Sequence, residues 1–246
     1  MNEREWWDLW NTSHRTKENN DAVSSELFSR AANAVNAITT ASPARVLEIA
    51  CGTGTLSRML KYSSYVGLDI SPAAIQVAKE KSAAYRPAEG AKHPYYESAD
   101  FHEWSLPEEP FDVTICIDAI SSIRDQAAAM RKMANSLRIG GHLVMTTINR
   151  FVYDRIRRST AVRLESGPVS KWLYRSELND LVEQAGLEIE ISTTIMPRGE
   201  LGILRIINSC KLNESLGPRF AFALRALKER AGLGQYSLIV ARKDHE

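Results

Sequence analysis

The stretch Val46-Leu47-Glu48-Ile49-Ala50-Cys51-Gly52-Thr53-Gly54 reads as a short, branched apolar strand that runs into a glycine turn. The strand is expected over Arg45 to Ala50, and the pattern turns helical from Thr55 to Lys61. Working outward, Tyr65 to Asp69 is a second strand, and Ser71-Pro72 then opens a helix to about Tyr85, with proline at its first position. A third strand is expected over His93 to Ser98 and a fourth over Phe111 to Ile117. A helix from Arg124 to Leu137, closed by Gly140-Gly141, leads to a fifth strand, His142 to Ile148. The helix Tyr174 to Ala185 ends at Gly186, and strands six (Leu187 to Thr194) and seven (Tyr236 to Ala241) follow.

Strands that alternate with helices imply right-handed crossovers, hence a mostly parallel sheet covered by helices on both faces. The expected fold class is α/β: a Rossmann-like, doubly wound sheet of seven strands with the last antiparallel. Ligands of such sheets bind beyond the carboxyl ends of the strands. The chain is read as one domain over 1–246. Residues 1–42 form an N-terminal helical lid, with a helix from Val23 to Ile38, and 43–148 form the cofactor-binding core. Two insertions, 149–173 and 195–235, are expected to cap the ligand edge. The second holds helical patterns around Leu201 to Lys211 and Pro218 to Arg230. A hairpin joining two strands usually needs only ~2–5 residues, so an insertion of that length needs a reason.

The glycines let backbone approach a ligand closely, and the helix N-terminus behind them offers free N–H groups. Asp69 ends the second strand 17 residues after Gly52, near the ~20 expected of a carboxylate that accepts from ribose hydroxyls. A dinucleotide-binding turn wants a third glycine where Ser57 stands, and Glu48 at the end of the first strand would repel a pyrophosphate. An acid there suits a cationic ligand without phosphate. S-adenosylmethionine (SAM), with its sulfonium and ammonium, is such a ligand.

VLEIACGTG, followed in order by VGLDIS, SADFHEW, FDVTICIDAI and LRIGGHLVMTT, resembles the motifs of class I SAM-dependent methyltransferases over residues 44 to 148. The general pattern resembles the small-molecule O-methyltransferases of ubiquinone-type biosynthesis. The flanks NTSHR, TTINRF and ILRIINSCKLN are similar to uncharacterised members found with polysaccharide-biosynthesis genes. The resemblance implies that Glu48, Ala50, Gly52 and Gly54 cradle the methionine moiety of SAM. It implies that Asp69 holds the ribose, that Ile70 packs on the adenine, and that Asp100 accepts from the adenine amino group beside Phe101. Ile117 and Asp118 would border the transferring methyl. As a loop aspartate, Asp100 also fits an Asx-turn, and Cys51 fits plain packing.

Methyl transfer from a sulfonium needs nucleophile and methyl held in line, and a general base only where the nucleophile keeps its proton, as an alcohol does. The ubiquinone-type pattern often places a histidine after the fourth strand, where this chain has Ser122. Asp118 is the local substitute, or else a partner of the cofactor tail. His14, within Trp10-Asn11-Thr12-Ser13-His14-Arg15, is a second catalytic candidate, set against a solvated loop histidine. Trp6, Trp7 and Trp10 fall on helical spacing, which suits anchorage of that helix or an aromatic lid. Asn149, Arg150 and Arg198 are substrate-binding candidates. His93, His102, His142 and His245 read as structural or peripheral.

The expected function is transfer of a methyl from SAM to a hydroxyl of a small molecule such as a sugar, glycoconjugate or phenol. An N-methyltransferase acting on a small amine, and a non-catalytic SAM-binding module, are the alternatives. The chain lacks the Asn/Asp-Pro-Pro-Tyr run of amino-methylating nucleic-acid enzymes, and Glu48 and Ser57 argue against a nicotinamide oxidoreductase. Whole-chain charge gives no global electrostatic reason to bind nucleic acid, which is not expected as a partner: 31 Lys+Arg stand against 30 Asp+Glu over 246 residues, a net +1. The segment Arg150 to Arg175 nevertheless carries a net +5 and Pro197 to Gly232 a net +4, which suits an anionic acceptor or an acidic membrane surface. The run Phe220 to Leu227 fits core packing, a homodimer interface or peripheral membrane contact. Three separated cysteines give neither a zinc site nor a disulfide framework. The charged N-terminus and the short apolar runs suggest a cytoplasmic protein without a transmembrane segment.

Overall fold

The structure, a computed structural model, describes residues 3–13, 22–40, 43–159, 171–197 and 218–245. Its centre is a seven-stranded sheet built from β1 (Ala44–Ile49), β2 (Tyr62–Asp69), β3 (Tyr95–Ser98), β4 (Phe111–Ile117), β5 (Leu137–Ile148), β6 (Leu187–Ile195) and β7 (Tyr236–Lys243). The spatial order is β3-β2-β1-β4-β5-β7-β6. The pairs from β3 to β5 are parallel, and β7 runs antiparallel to both β5 and β6. The expected seven-stranded, doubly wound sheet with an antiparallel last strand is therefore the one observed.

Helices α1 (Glu3–Ser13), α2 (Ala22–Ile38), α3 (Pro72–Ala83), α4 (Gln126–Ser136), α5 (Arg150–Ser159), α6 (Arg175–Glu183) and α7 (Pro218–Arg230) surround the sheet. The alternation of side chains along each strand divides the core in two. Val46, Val113, Ile115 and Val144 pack with Leu27 and Val35 of α2 and Ile75 of α3. Leu47, Ile49, Leu143 and Met145 pack with Met130 and Met133 of α4 and Leu178 and Val182 of α6. Burial on both faces explains why these strands read as continuous apolar runs.

Three segments differ from the reading by periodicity. The stretch after the glycine turn is only a 3-10 turn, Leu56–Arg58, and β2 starts at Tyr62 rather than Tyr65. Tyr62 and Tyr65 are both buried against the core, which a strand satisfies and a surface helix would not. Helix α4 stops at Ser136, and Leu137 already pairs with Phe111. The register then shifts before Val113 meets His142, and Gly140 takes up the shift at a φ of +75°. The connection after β5 opens directly into α5, because Asn149 accepts from the Phe151 N–H and so caps the helix.

Of the insertion between β6 and β7, α7 is described. Its Glu229 carboxylate accepts from Arg30 and Arg225 and from the Met196 N–H, and Arg225 also pairs with Glu26. These contacts tie α7 to α2 and to the end of β6. Phe222 and Leu227 of α7 remain exposed, so the run Phe220 to Leu227 is not core packing throughout. The helical pattern Leu201 to Lys211, His14 and Arg198 lie outside the described residues. Among the described residues, no helix is long and apolar enough to cross a membrane.

Candidate active site

A cavity of about 210 Å³ opens at the carboxyl ends of β1, β2, β3 and β4, where the strand order predicts a ligand. Its wall includes Ala50 and Gly52 after β1, Asp69 and Ile70 after β2, Asp100, Phe101 and His102 after β3, and Ile117, Asp118 and Ser122 after β4. Eight of the cofactor and catalytic candidates from the sequence meet on this one wall.

Asp69 organises the turn. Its Oδ2 accepts from the Gly52 N–H at 2.8 Å and its Oδ1 from the Ser71 N–H at 2.9 Å. A carboxylate has about four lone-pair sites, so acceptor capacity remains for a ribose diol. Burial pushes the Asp69 pKa up, and the two backbone N–H groups oppose the shift. Gly52 adopts a φ of +52°, and a Cβ there would meet nothing within 4 Å, so bare backbone borders the turn. Gly54 serves a different purpose. A Cβ on it would lie 2.6 Å from Tyr96 Oη, and the Tyr96 hydroxyl sits 2.6 Å from Ser57 Oγ, which donates to Gly54 O at 2.9 Å. Gly54 therefore fits the turn onto a buried Tyr96–Ser57 pair and is not part of the cavity wall.

Glu48 is also off the wall, with only 1% of its surface exposed. The Tyr65 hydroxyl donates to Glu48 Oε2. Its carboxyl is held well above the usual carboxylate range by burial first, then by Asp69, with Arg58 opposing. Arg58 itself donates to Gly54 O at 2.8 Å.

Asp118 follows β4 at a φ of +53°, a left-handed conformation that L-residues adopt at a cost. Its N–H donates to Thr146 O at 2.9 Å, which fixes the turn against β5. Burial pushes its pKa up to about 7, against a backbone hydrogen bond from Ile148. Asp100 holds two partners: Oδ1 accepts from the His102 N–H at 2.9 Å, an Asx-turn, and Oδ2 accepts from Arg124 at 2.8 Å.

Helix α1 lies across this edge. Asp8 Oδ1 accepts from the Ala73 N–H at 2.8 Å and from the Ser71 hydroxyl at 3.2 Å, at the start of α3. Arg4 donates to Ser98, and Trp7 completes the cavity wall.

Two substrate-binding expectations sit elsewhere. The Asn149 amide donates to Gly232 O and Gly234 O, and its oxygen caps α5, so it is spent on clasping the turn before β7. Arg150 stacks over the Tyr174 ring and pairs with Asp154 and Glu177. Neither borders the cavity, and among the described residues neither α5 nor α7 contributes to its wall. His102 and Arg124 do border it and were missed. His102 reads as part of a connecting segment and Arg124 as the start of a helix, and which segments meet is a property of strand order.

The donor set fits SAM: a free-edged carboxylate for a ribose, open glycine backbone, and acids without a counter-cation where a sulfonium and ammonium would lie. A family model described as "Methyltransferase domain" matches residues 21–191, more than half of the chain. The chain belongs to that family of methyltransferase domains. The Marinobacter nauticus protein "Ubiquinone biosynthesis O-methyltransferase" is 28% identical over 156 residues, covering 59% of this chain and 64% of that one. The methyltransferase thus spans less than two thirds of the length of the curated relatives it matches. Two solved structures share its fold. Magnesium protoporphyrin IX methyltransferase of Synechocystis, with bound S-adenosylhomocysteine (SAH), has a TM-score of 0.62 at 14% identity and covers 98% of this chain and 97% of its own. The N-methyltransferase NodS of Bradyrhizobium japonicum, in complex with SAH, has a TM-score of 0.62 at 14% identity and covers 94% and 92%.

Proposed function

We propose that this methyltransferase transfers the methyl of SAM to a hydroxyl of a small molecule, with the Asp118 carboxylate as the base. The observation that carries the reading is Asp118 itself, held on the cavity wall in a left-handed conformation with a pKa near 7. A base whose pKa lies near the working pH is matched to proton abstraction from an alcohol. When bound, SAM supplies an electrophilic methyl group on a sulfonium. Asp69 would hold the ribose hydroxyls, Ile70 and Phe101 the faces of the adenine, and Asp100 its amino group. Ala50, Gly52 and Gly54 shape the turn beside the methionine portion, with Glu48 behind it and Ile117 at its flank. As the acceptor oxygen attacks, its proton passes to Asp118, while Trp7 and the apolar wall keep water out.

The similarity to ubiquinone-biosynthesis O-methyltransferases supports oxygen as the methylated atom. The net positive charge of Arg150 to Arg175 and Pro197 to Gly232 supports an acceptor that carries anionic groups. The test is titration with SAM followed by a panel of phenols, sugars and amines, read by mass spectrometry for gain of one methyl. Methylation of hydroxyl acceptors, lost in Asp118→Asn, supports the reading. Turnover of amines alone, or full activity in Asp118→Asn, overturns it.

A further inference from the structure

The order β3-β2-β1-β4 puts two strands between β3 and β4. At ~4.8 Å per step, their carboxyl ends lie roughly 14 Å apart. Arg124 nevertheless reaches from the turn after β4 to Asp100 in the turn after β3, with Nη2 2.8 Å from Oδ2. The pair therefore joins the segments that follow β3 and β4, and both of its residues border the cavity. A second, outer cleft of about 670 Å³ lies against the same place. Ile70, Ala99, Asp100 and Arg124 border both spaces, so the ion pair is part of the partition between them. The turn after β3 is held from the same side by Lys132 of α4. Its Nζ donates to His102 O at 2.8 Å and lies 5.2 Å from the Phe101 ring centroid.

We infer that Arg124 is the positioning residue for the nucleobase: it fixes the Asp100 carboxylate so that the site selects a 6-amino purine over a 6-keto purine. The inference rests on the proposed placing of the SAM adenine at Asp100. The charge pattern supports that placing: Asp69 and Asp118, which have no basic partner among the described residues, lie toward β2 and β4 and suit the cationic end. The turns after β2 and β3 offer apolar surface from Ile70 and Phe101 beside the Asp100 carboxylate edge. The Arg124 and His102 contacts use one lone pair on each Asp100 oxygen, and one on each remains. The single guanidinium contact on Oδ2 and the Asx-turn on Oδ1 together hold both oxygens of the carboxylate. A 6-amino group donates to that edge, whereas a 6-keto oxygen meets it as a second acceptor.

The experiment measures affinities of SAH and of S-inosylhomocysteine, its 6-keto analogue, for wild type, Arg124→Gln, Arg124→Lys and Asp100→Asn. Wild type is expected to prefer SAH. Arg124→Gln is expected to weaken that preference by about 1.4-fold to fivefold, the range of an exposed ion pair, and Arg124→Lys to restore part of it. The Arg124 side chain is 66% exposed, so added salt should erode the wild-type preference and leave that of Arg124→Gln unchanged. Asp100→Asn, whose amide can donate to a keto oxygen, is expected to lower the preference further. Circular dichroism and thermal unfolding establish that each variant is folded. An Arg124→Gln preference and salt response equal to wild type, with Asp100→Asn altered, overturns the role of Arg124 alone. An unaltered Asp100→Asn overturns the placing of adenine at Asp100 as well, and wild type that binds neither ligand overturns the whole reading of the site.

Discussion

The backbone N–H of Gly52 donates to Asp69 Oδ2 at 2.8 Å, so the glycine turn after β1 and the acid that ends β2 form one unit. The other oxygen, Oδ1, holds the Ser71 N–H at the start of α3. Asp69→Asn would set an amide N–H₂ against one of these donors. Hydrogen bonds to a charged group contribute about 1.5–3 kcal/mol, so SAH affinity should fall roughly tenfold to a hundredfold. The unfolding midpoint should fall with it. Calorimetric titration and thermal melts measure both, and unchanged affinity would remove Asp69 from the cofactor site.

Asp118 sets the expected pH dependence. With a carboxyl pKa of about 7, the base is protonated in acid, and the rate should fall about tenfold per pH unit below that value. Asp118→Asn should lower kcat by about 10²–10⁴ and abolish this limb. The stability contribution has the opposite slope. The folded pKa exceeds the unfolded value of ~3.9, so the native state binds the extra proton between the two, and stability falls as pH rises through about 7. A pH–rate profile that stays flat from pH ~5 to ~8 would sink the assignment.

Glu48 predicts a proton linkage of its own. Burial and Asp69 hold its proton on, while a cationic ligand favours the carboxylate. SAM binding should therefore release a proton and tighten as pH rises. Titrations in buffers of different ionisation enthalpy detect the release. Glu48→Gln should abolish it. Tyr65→Phe, which removes the hydroxyl that donates to Glu48, should enlarge it and weaken binding. Equal apparent enthalpies in all buffers would contradict the linkage.

Two backbone positions make opposite predictions. Ala50 holds a φ of +55°, a conformation that costs a non-glycine residue about 1–2 kcal/mol. Ala50→Gly relieves that strain against an unfolded-state entropy term of about 0.4–1 kcal/mol. The net effect should be stabilising by less than about 2 kcal/mol. Gly54→Ala should destabilise by about 2–4 kcal/mol, because the new Cβ would lie 2.6 Å from Tyr96 Oη at a φ of +69°. Denaturant unfolding of the two variants decides, and a Gly54→Ala protein as stable as wild type would refute the account of this turn.

The parts of the site legible in the sequence are those coded by local spacing. Gly52 and Asp69 stand where a strand, a turn and the next strand place them, and Ser71-Pro72 announces α3 through its cap, with Ser71 Oγ accepting from the Ala74 N–H. Asn149 shows why the remainder was not legible. Its position after β5 suggested a role at the ligand edge, but its amide closes on carbonyls 83 and 85 residues away. His102 looked like an ordinary loop residue and stands on the cavity wall. The helix expected from Thr55 to Lys61 failed for a related reason: Leu56 and Leu60 are apolar because the core buries them, not because a helical face repeats.

The sequence by itself determined the class of fold, the edge at which the cavity opens and the acids that stand there, because alternating elements and turn chemistry are local properties of the chain. Only the tertiary structure decided what each acid does. The Tyr65 hydroxyl on Glu48, the Arg124 guanidinium on Asp100 and the burial that lifts Asp118 all depend on which strands lie side by side. Strand order brings together groups that are distant in the chain, and the chemistry of a carboxylate follows from the groups that surround it.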